Sequence, residues 1–242
     1  MGFFLLYGLD INHYDIKSTS LQSKAPNAFI YNPPQHALEI VHEDADILIV
    51  NKPSGLLTVP GKAEAHKDCL ETRLKSQYAS SLTIHRLDMD TSGLMVFALN
   101  KNAQSHIGKQ FEKRYVKKQY QARIWGIPSQ EVGHIDLPLR CDWPNRPMQM
   151  VDFEQGKQAL TYWRIDKKYS NFADVILEPE TGRSHQLRVH LKALGHPILG
   201  DNLYAHEEAL KASSRLCLHA SSLSFYHPDG GKWMAFENII AF

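Results

Sequence analysis

Residues 85–94 read HRLDMDTSGL. The string sets an arginine, Arg86, and a carboxylate, Asp88, in a turn-forming segment directly ahead of an apolar run, LMVFAL at residues 94–99. Thr91, Ser92 and Gly93 are turn chemistry, and the run behind them is short, apolar and aromatic enough for a strand. Asp88 is therefore expected on a loop anchored by a rigid element, where a polar side chain can face a cleft. A carboxylate so placed can serve as nucleophile or base. The same Arg-x-Asp pattern also occurs as a structural ion pair of small energetic weight.

The elements that must position this loop are mixed in type. Residues 38–42 and 47–52 flank the acidic turn EDAD and predict a hairpin, although the turn lacks an Asn-Gly signal. Residues 101–114 have helical composition, and residues 119–127, 173–177 and 216–226 have strand character. Ser184 is placed to cap a helix whose Leu187, Leu191 and Leu194 recur at helical spacing, with Gly195 as the stop and Pro197 beyond. Arg188 and Lys192 fall on the opposite face of that helix. Gly182 and Arg183 then lie at its N-terminus, where backbone amides favour anions. The order of short strands and helices predicts an α+β domain with a mixed, mainly antiparallel sheet.

With 242 residues, 43% of them hydrophobic, the chain can bury one substantial core. One domain is expected over residues 31–242, entered through Tyr31 and the Pro33-Pro34 pair, with residues 1–30 as a poorly ordered extension. Cys69, Cys141 and Cys217 are odd in number and widely spaced, which indicates neither a disulfide framework nor a zinc site. The apolar run at residues 3–7 is too short to span a membrane and lacks a signal peptide's basic flank, so a cytoplasmic location is expected. No dinucleotide-binding glycine loop, phosphate-binding Walker string or metal cluster is evident, and no cofactor is expected. The net charge is only +1, but residues 101–123 hold seven basic residues against Glu112 alone. Such a stripe, interleaved with Tyr115 and Tyr120, can neutralise phosphates in a nearly neutral protein.

HRLDMDTSGL resembles the signature loop of the RluA-type pseudouridine synthases. Two further strings resemble the same family: PETGRSHQLRVHLKALGHPILGDNLY at residues 179–204 and DADILIVNKPSGLLTVPG at residues 44–61. The resemblance implies the pseudouridine synthase fold, a bisected sheet with flanking helices and a central catalytic cleft. It also implies isomerisation of uridine in RNA, with Asp88 as the catalytic carboxylate. That reaction breaks the N1–C1′ bond, turns the uracil and rejoins it through C5, with no redox step. Asp88 could attack the sugar or remove its 2′ proton. Either role requires a charged carboxylate shielded from water, which burial opposes and a nearby cation supports.

By the same resemblance Arg183 is the cation that pairs with Asp88, Tyr120 in KKQYQAR is the active-site tyrosine, and Leu218 in LCLHA packs beneath the site. Arg86 is read as engaging the RNA backbone or displacing the target base, and His85 and His185 as structural hydrogen-bonding residues that titrate near neutrality. A stacked base is inaccessible to side chains, so the uridine must be flipped out, with Lys113, Lys117 and Lys118 holding the flanking backbone. DLPLRCDWPNRPMQM at residues 136–150 resembles the short family members, lacking an S4 domain, that modify an anticodon-loop uridine of tRNA and a uridine of large-subunit ribosomal RNA. These are the stem-loops bearing tRNA uridine-32 and 23S uridine-746. A tRNA T-arm-region synthase of the same family is the alternative. From other classes, a glycoside hydrolase would need a second acid at a fixed separation, and a non-catalytic RNA-binding module would not need Asp88, Tyr120 and Arg183 together. A monomer is expected.

Overall fold

A strand buried on both faces organises the protein. In the computed structural model, which describes residues 31–242, the chain forms β1 (Glu39–Glu43), β2 (Ile47–Lys52), α1 (Leu70–Lys75), β3 (Leu82–Thr83), β4 (Ser92–Ala98), α2 (Lys101–Glu112), β5 (Lys117–Trp125) and β6 (Val132–Asp136). There follow β7 (Leu139–Cys141), β8 (Gln149–Val151), β9 (Leu160–Lys168), β10 (Phe172–Pro179), α3 (Gln186–Ala193), α4 (Glu207–Lys211), β11 (Leu218–Tyr226) and β12 (Trp233–Glu237). The extension expected over residues 1–30 lies outside the described residues. Every residue of β4 is buried. Its Met95 and Phe97 pack with Leu48, Val50 and the α1 leucines Leu70 and Leu74. Leu94 and Val96 pack on the other side with Ile47, Ile49 and Ile107 of α2. That division follows from the two-residue alternation of a strand and explains why the segment reads as an unbroken apolar run.

Ten strands form one sheet in the order β1-β2-β4-β11-β5-β10-β9-β6, with β3 added to β4 and β12 to β11. β7 and β8 make a separate two-stranded hairpin. The sheet is mixed and mainly antiparallel, as the sequence pattern implies, and it is split where β4 meets β11. That junction is the parallel pairing, and it spans only His219 with Ser92 and Ala220 with Gly93. Beyond it β11 takes β12 as its neighbour instead. Gly93 makes the junction possible: its φ is +118°, and a Cβ there would meet the Ala220 carbonyl oxygen at 2.4 Å and its nitrogen at 2.5 Å. One row of paired residues crosses the split, running Lys52, Gly93, Ala220, Tyr120 and Leu177 over five strands.

The hairpin expected over residues 38–52 is present as antiparallel β1 and β2. Its turn is set by the Asp44 carboxylate, whose Oδ1 accepts from the backbone N–H groups of Asp46 and Ile47, both at 2.9 Å. An aspartate turn thus does the work of the missing Asn-Gly pair. α2 is capped by Asn100, whose side chain accepts from Ala103 N–H, and it stops at Glu112 with Arg114 in the left-handed region. α3 departs from the expected start. Ser184 does not cap it; His185 precedes it with φ +54°. The buried Gln186 side chain instead folds back, its Oε1 accepting from Thr181 Oγ1 at 2.8 Å and Arg183 N–H at 3.0 Å. Gly182 and Arg183 are consequently not part of a regular helix N-terminus.

Candidate active site

The HRLD segment is an irregular loop between β3 and β4, and the residues that hold it come from the segment after β2. Thr58 donates its hydroxyl to the Leu87 carbonyl at 2.7 Å and accepts from Leu87 N–H at 3.3 Å. Gly55 N–H donates to the Met89 carbonyl at 3.0 Å, and Ser54 Oγ donates to the Asp90 carbonyl at 2.7 Å. Lys52 lies beneath them, fully buried. Its Nζ donates to the carbonyls of Pro53, Leu56 and Met89 at 2.9, 2.7 and 2.8 Å, which uses all three ammonium protons. Burial pushes its pKa down to about 7, against the attraction of Asp90 and Asp88. Lys52 is a site residue that the sequence reading missed, although it stands inside one of the strings that carried the resemblance.

His85 anchors the other end of the loop. Its Nε2 accepts from Val96 N–H at 3.1 Å, and its ring stacks on Phe111 with centroids 4.7 Å apart. Burial, with Lys118 adding to it, pushes its pKa down to about 3. His85 is a structural hydrogen-bonding residue, but it does not titrate near neutrality as expected, because burial disfavours the charged ring and no anion lies beside it among the described residues.

Asp88 is half-buried and lines a cavity of about 100 Å³ together with Arg86, Tyr120, Arg183, His185, Arg188 and Leu218. Its carboxylate makes no hydrogen bond or ion pair among the described residues. Tyr120 stands on β5 at the junction of the two halves of the core, packed against both. Burial first and the Asp88 charge second raise its pKa above that of a free phenol, so it keeps its proton. Leu218, 3% exposed, opens β11 and closes the cavity on the apolar side. Arg86 is exposed at the cavity wall. A second cavity of about 600 Å³ shares the wall made by Lys118, Pro179, Thr181, Gly182 and Arg183, and adds Arg114 and Lys117.

Arg183 does not form the expected ion pair with Asp88. It is exposed, and its Nε donates to the Gln158 carbonyl at 3.1 Å. The buried guanidinium is that of Arg188, 2% exposed, although helical spacing puts it on the face opposite Leu187, Leu191 and Leu194. It donates to both oxygens of Asp201, Nε at 2.9 Å and Nη2 at 2.6 Å, and to Asn202 at 3.1 Å. Burial opposes its charge, while Asp201, and beyond it Asp88 and Asp90, more than offset this and raise its pKa. Its reach into the cleft was hidden because the partner, Asp201, lies thirteen residues downstream in the loop after α3. The signal was a short one: Arg188 sits one position from apolar Leu187 and Val189 on a helix buried through most of its circumference.

The basic stripe does not present one face. Arg123 is tied down by Asp174 at 2.7 and 2.9 Å and by the Phe242 carbonyl, with its guanidinium over the Tyr169 and Phe172 rings. It is a structural residue. Lys113 and Lys117 are exposed, and Lys118 lines both cavities. Burial lowers the Lys118 pKa, with Glu180 opposing. Trp143, 65% exposed, projects from the β7–β8 hairpin with the Arg146 guanidinium 4.8 Å above its ring. Asp44, Asp46 and His227 bring ligand-type atoms within 4.8 Å of one another. They lie outside the cavity walls, and the Asp44 carboxylate is already engaged by backbone amides, His42 and His227. No described helix is long and apolar enough to cross a membrane.

Comparison with known proteins covers most of this architecture. The RNA pseudouridylate synthase family matches residues 46–193. A dual-specificity RNA pseudouridine synthase RluA from Salmonella typhi is 54% identical over 209 residues, 86% of this chain and 95% of that protein. The RluA of Vibrio parahaemolyticus is 56% identical over 204 residues, 82% of each. Among solved structures, human RNA pseudouridylate synthase domain containing 1 superposes with a TM-score of 0.74 at 28% identity, covering 86% of each chain.

Proposed function

As a member of the RNA pseudouridylate synthase family the chain is an isomerase that converts uridine to pseudouridine in RNA, and we propose that Asp88 is its catalytic carboxylate. The observation that carries this reading is the contrast between Asp88 and its surroundings. The loop backbone around it is bonded by Thr58, Gly55, Ser54 and Lys52, whereas among the described residues the Asp88 side chain has no hydrogen-bond or ion-pair partner in the cavity. Such a group is held still and kept available, which is what a positioned nucleophile or base requires. The flipped uridine enters with C1′ and C2′ toward Asp88. The carboxylate attacks C1′ or takes the 2′ proton, and the N1–C1′ bond breaks; the uracil turns, C5 joins C1′ as the Asp88–C1′ bond breaks or the 2′ proton returns, and the C5 proton leaves to solvent while N1 takes one up.

The remaining residues divide the work. Tyr120, a protonated phenol beside Asp88, offers a flat ring for the uracil and a hydroxyl for hydrogen bonding. Arg188 and the buried Lys52 supply positive charge around the carboxylate. Leu218 keeps water from the floor, and the exposed Arg86 and Arg183 meet the RNA at the cleft mouth. Lys117 and Lys118, in the larger groove, are suited to flanking phosphates, with Lys113 beside them at the end of α2. The dual specificity named for the relatives, together with an exposed tryptophan suited to stacking on an unpaired base, supports the tRNA anticodon loop and a large-subunit ribosomal RNA loop as substrates. On this reading the target positions are tRNA uridine-32 and 23S uridine-746.

The test is tritium release from RNA labelled at uridine C5. Asp88→Asn abolishes release while binding persists; equal release from native and variant protein refutes the assignment. Pseudouridine mapping in a strain lacking the gene identifies the substrates, and loss confined to the T-arm region would assign the chain to another specificity.

A further inference from the structure

Tyr204 is 5% exposed, and its hydroxyl joins two distant parts of the chain. Gln149, which opens β8, donates its backbone N–H to Tyr204 Oη at 2.8 Å. His185 Nδ1 lies 2.7 Å from the same oxygen. Tyr204 also packs with Leu139 of β7 and Val189 of α3, so the hairpin that carries Trp143 rests on it. A backbone N–H can only donate, so the phenol oxygen accepts from Gln149. Its single proton then has His185 Nδ1 as the remaining hydrogen-bond neighbour among the described residues. Burial pushes the phenol up to about 12, with Arg188 and the Gln149 N–H opposing, so that proton stays in place. Nδ1 therefore accepts, and the neutral imidazole carries its proton on Nε2.

His185 lines the same cavity as Asp88 and Tyr120. It is held at φ +54° between Ser184 and the first turn of α3, a backbone position that side chains other than glycine visit rarely. The charged groups around it are Asp88, Arg188, Asp201 and Asp90, and burial holds its pKa below the ordinary value against the pull of the carboxylates. We propose that the Tyr204 hydroxyl is a positioning group that fixes His185 as the Nε2–H tautomer, leaving an N–H donor in the cleft for a carbonyl oxygen of the uracil, and that it couples this donor to the seating of the β7–β8 hairpin. The proposal rests on the pseudouridine synthase reading of the cleft. A uracil presents two carbonyl oxygens and no other strong acceptor on its ring, so a fixed N–H donor in the cleft has a matching acceptor.

The test uses the full chain labelled with 15N-histidine and a stem-loop RNA substrate. In the native protein the two-bond 1H–15N pattern of His185, identified by its loss in His185→Asn, is that of the Nε2–H tautomer. In Tyr204→Phe it becomes a tautomer mixture. His185→Asn tolerates the left-handed backbone and keeps a group near Nδ1, but it lacks the Nε2 donor. It lowers kcat about ten-fold. Tyr204→Phe lowers kcat and also raises KM, since the hairpin loses a tether, whereas Trp143→Ala raises KM alone. The kcat defect of the double variant is no larger than that of His185→Asn, because both changes remove one donor. An Nδ1–H native ring overturns the proposal, as do native kinetics in His185→Asn or multiplying kcat losses in the double variant. Should Tyr204→Phe fail to fold, the native spectrum and His185→Asn still decide. Loss of tritium release in Asp88→Asn separates the outcomes, since it tests the reading of the cleft and is indifferent to His185.

Discussion

Replacing Arg188 by methionine separates two roles that the structure gives one side chain. The Arg188–Asp201 pair is withdrawn from water, with side chains 3% and 0% exposed. Methionine fills much of the same volume but leaves Asp201 as a buried carboxylate without its cation, a change that costs about 3–5 kcal/mol. In a protein of this size each kcal/mol lowers the melting temperature by about 2–4 °C, so the midpoint falls by roughly 6–20 °C. Asp201 also orders its own turn, its Oδ1 accepting from the N–H groups of Leu203 and Tyr204 at 3.0 and 3.1 Å. Asparagine preserves that acceptor while removing the charge, so Arg188→Met/Asp201→Asn recovers at least half of the lost stability. Activity does not recover with it. Neither variant supplies positive charge to Asp88, so single-turnover tritium release, measured well below both melting points, stays at least ten-fold below native. By contrast, Arg183→Met changes stability by no more than about 0.5 kcal/mol, since the side chain is exposed. A stabilised double variant with native turnover, or a single variant with native stability, would refute this division of roles.

Lys52 titrates near 7 in the folded protein against 10.5 ordinarily. A lowered folded pKa gives stability that is full above the unfolded value and is lost as pH falls through the folded one. Native stability relative to Lys52→Met should therefore rise with pH between about 7 and 10, by up to about 1.4 kcal/mol per pH unit, as read by denaturant unfolding across that range. A difference independent of pH would mean that burial does not lower the Lys52 pKa and would refute this reading. Gly93→Ala forces a Cβ into the Ala220 backbone at a left-handed φ and should destabilise by roughly 3 kcal/mol or more, combining backbone strain with overpacking; a thermal melt within a few degrees of native would show that the junction can open cheaply. Neutralising Lys113, Lys117 and Lys118 together should flatten the dependence of log binding constant on log salt by about 2, at roughly 0.7 per single-strand phosphate contact. An unchanged slope removes these lysines from the RNA path.

The parts of this protein that could be read from sequence are those in which a local pattern has a local cause. The β1–β2 hairpin, the α2 helix and the fully buried β4 follow from alternation, capping and apolar runs whose determinants lie within a few residues. Asp88, Tyr120 and Leu218 were placed by the family resemblance, and all three line one cavity. The expected pairing of Arg183 with Asp88 is not formed, and Arg188, expected on the face away from the core, is the arginine that is buried. A charged residue on an amphipathic helix is ordinarily on the wet face, and only the position of Asp201, beyond the end of the helix, turns Arg188 inward. Ser184 failed as a cap for a related reason, since Gln186 bonds back to Thr181, a contact that depends on where β10 delivers the chain. The seven basic residues at 101–123 do not act as one stripe because Arg123 stands opposite Asp174 in the β5–β10 register and is neutralised by it.

The convergence of three strings far apart in sequence has a structural cause in the split of the sheet. A catalytic carboxylate must be rigid, and a sheet interior is rigid, but continuous pairing leaves no opening for a nucleotide. Pairing that ends after two residues resolves the conflict. At that point Lys52, Gly93, Ala220 and Tyr120 fall in one row across β2, β4, β11 and β5. The glycine lets β4 and β11 touch, and the divergence beyond it allows the loop before β4 to face the tyrosine from across the gap. The lysine is then needed because the segment after β2 and the loop before β4 together leave three carbonyls facing inward with no strand to bond them. An ammonium with three protons meets that demand from a single position, which a methionine or leucine in the same row could not do. Conserving the fold while losing the lysine should accordingly loosen the loop before it loosens the sheet: in Lys52→Met, hydrogen exchange should accelerate at the Leu87 and Gly55 amides while the β4 amides of residues 94–97 stay protected. Equal acceleration in β4 would mean that Lys52 supports the sheet as a whole, and the separate role assigned to it beneath Asp88 would fall.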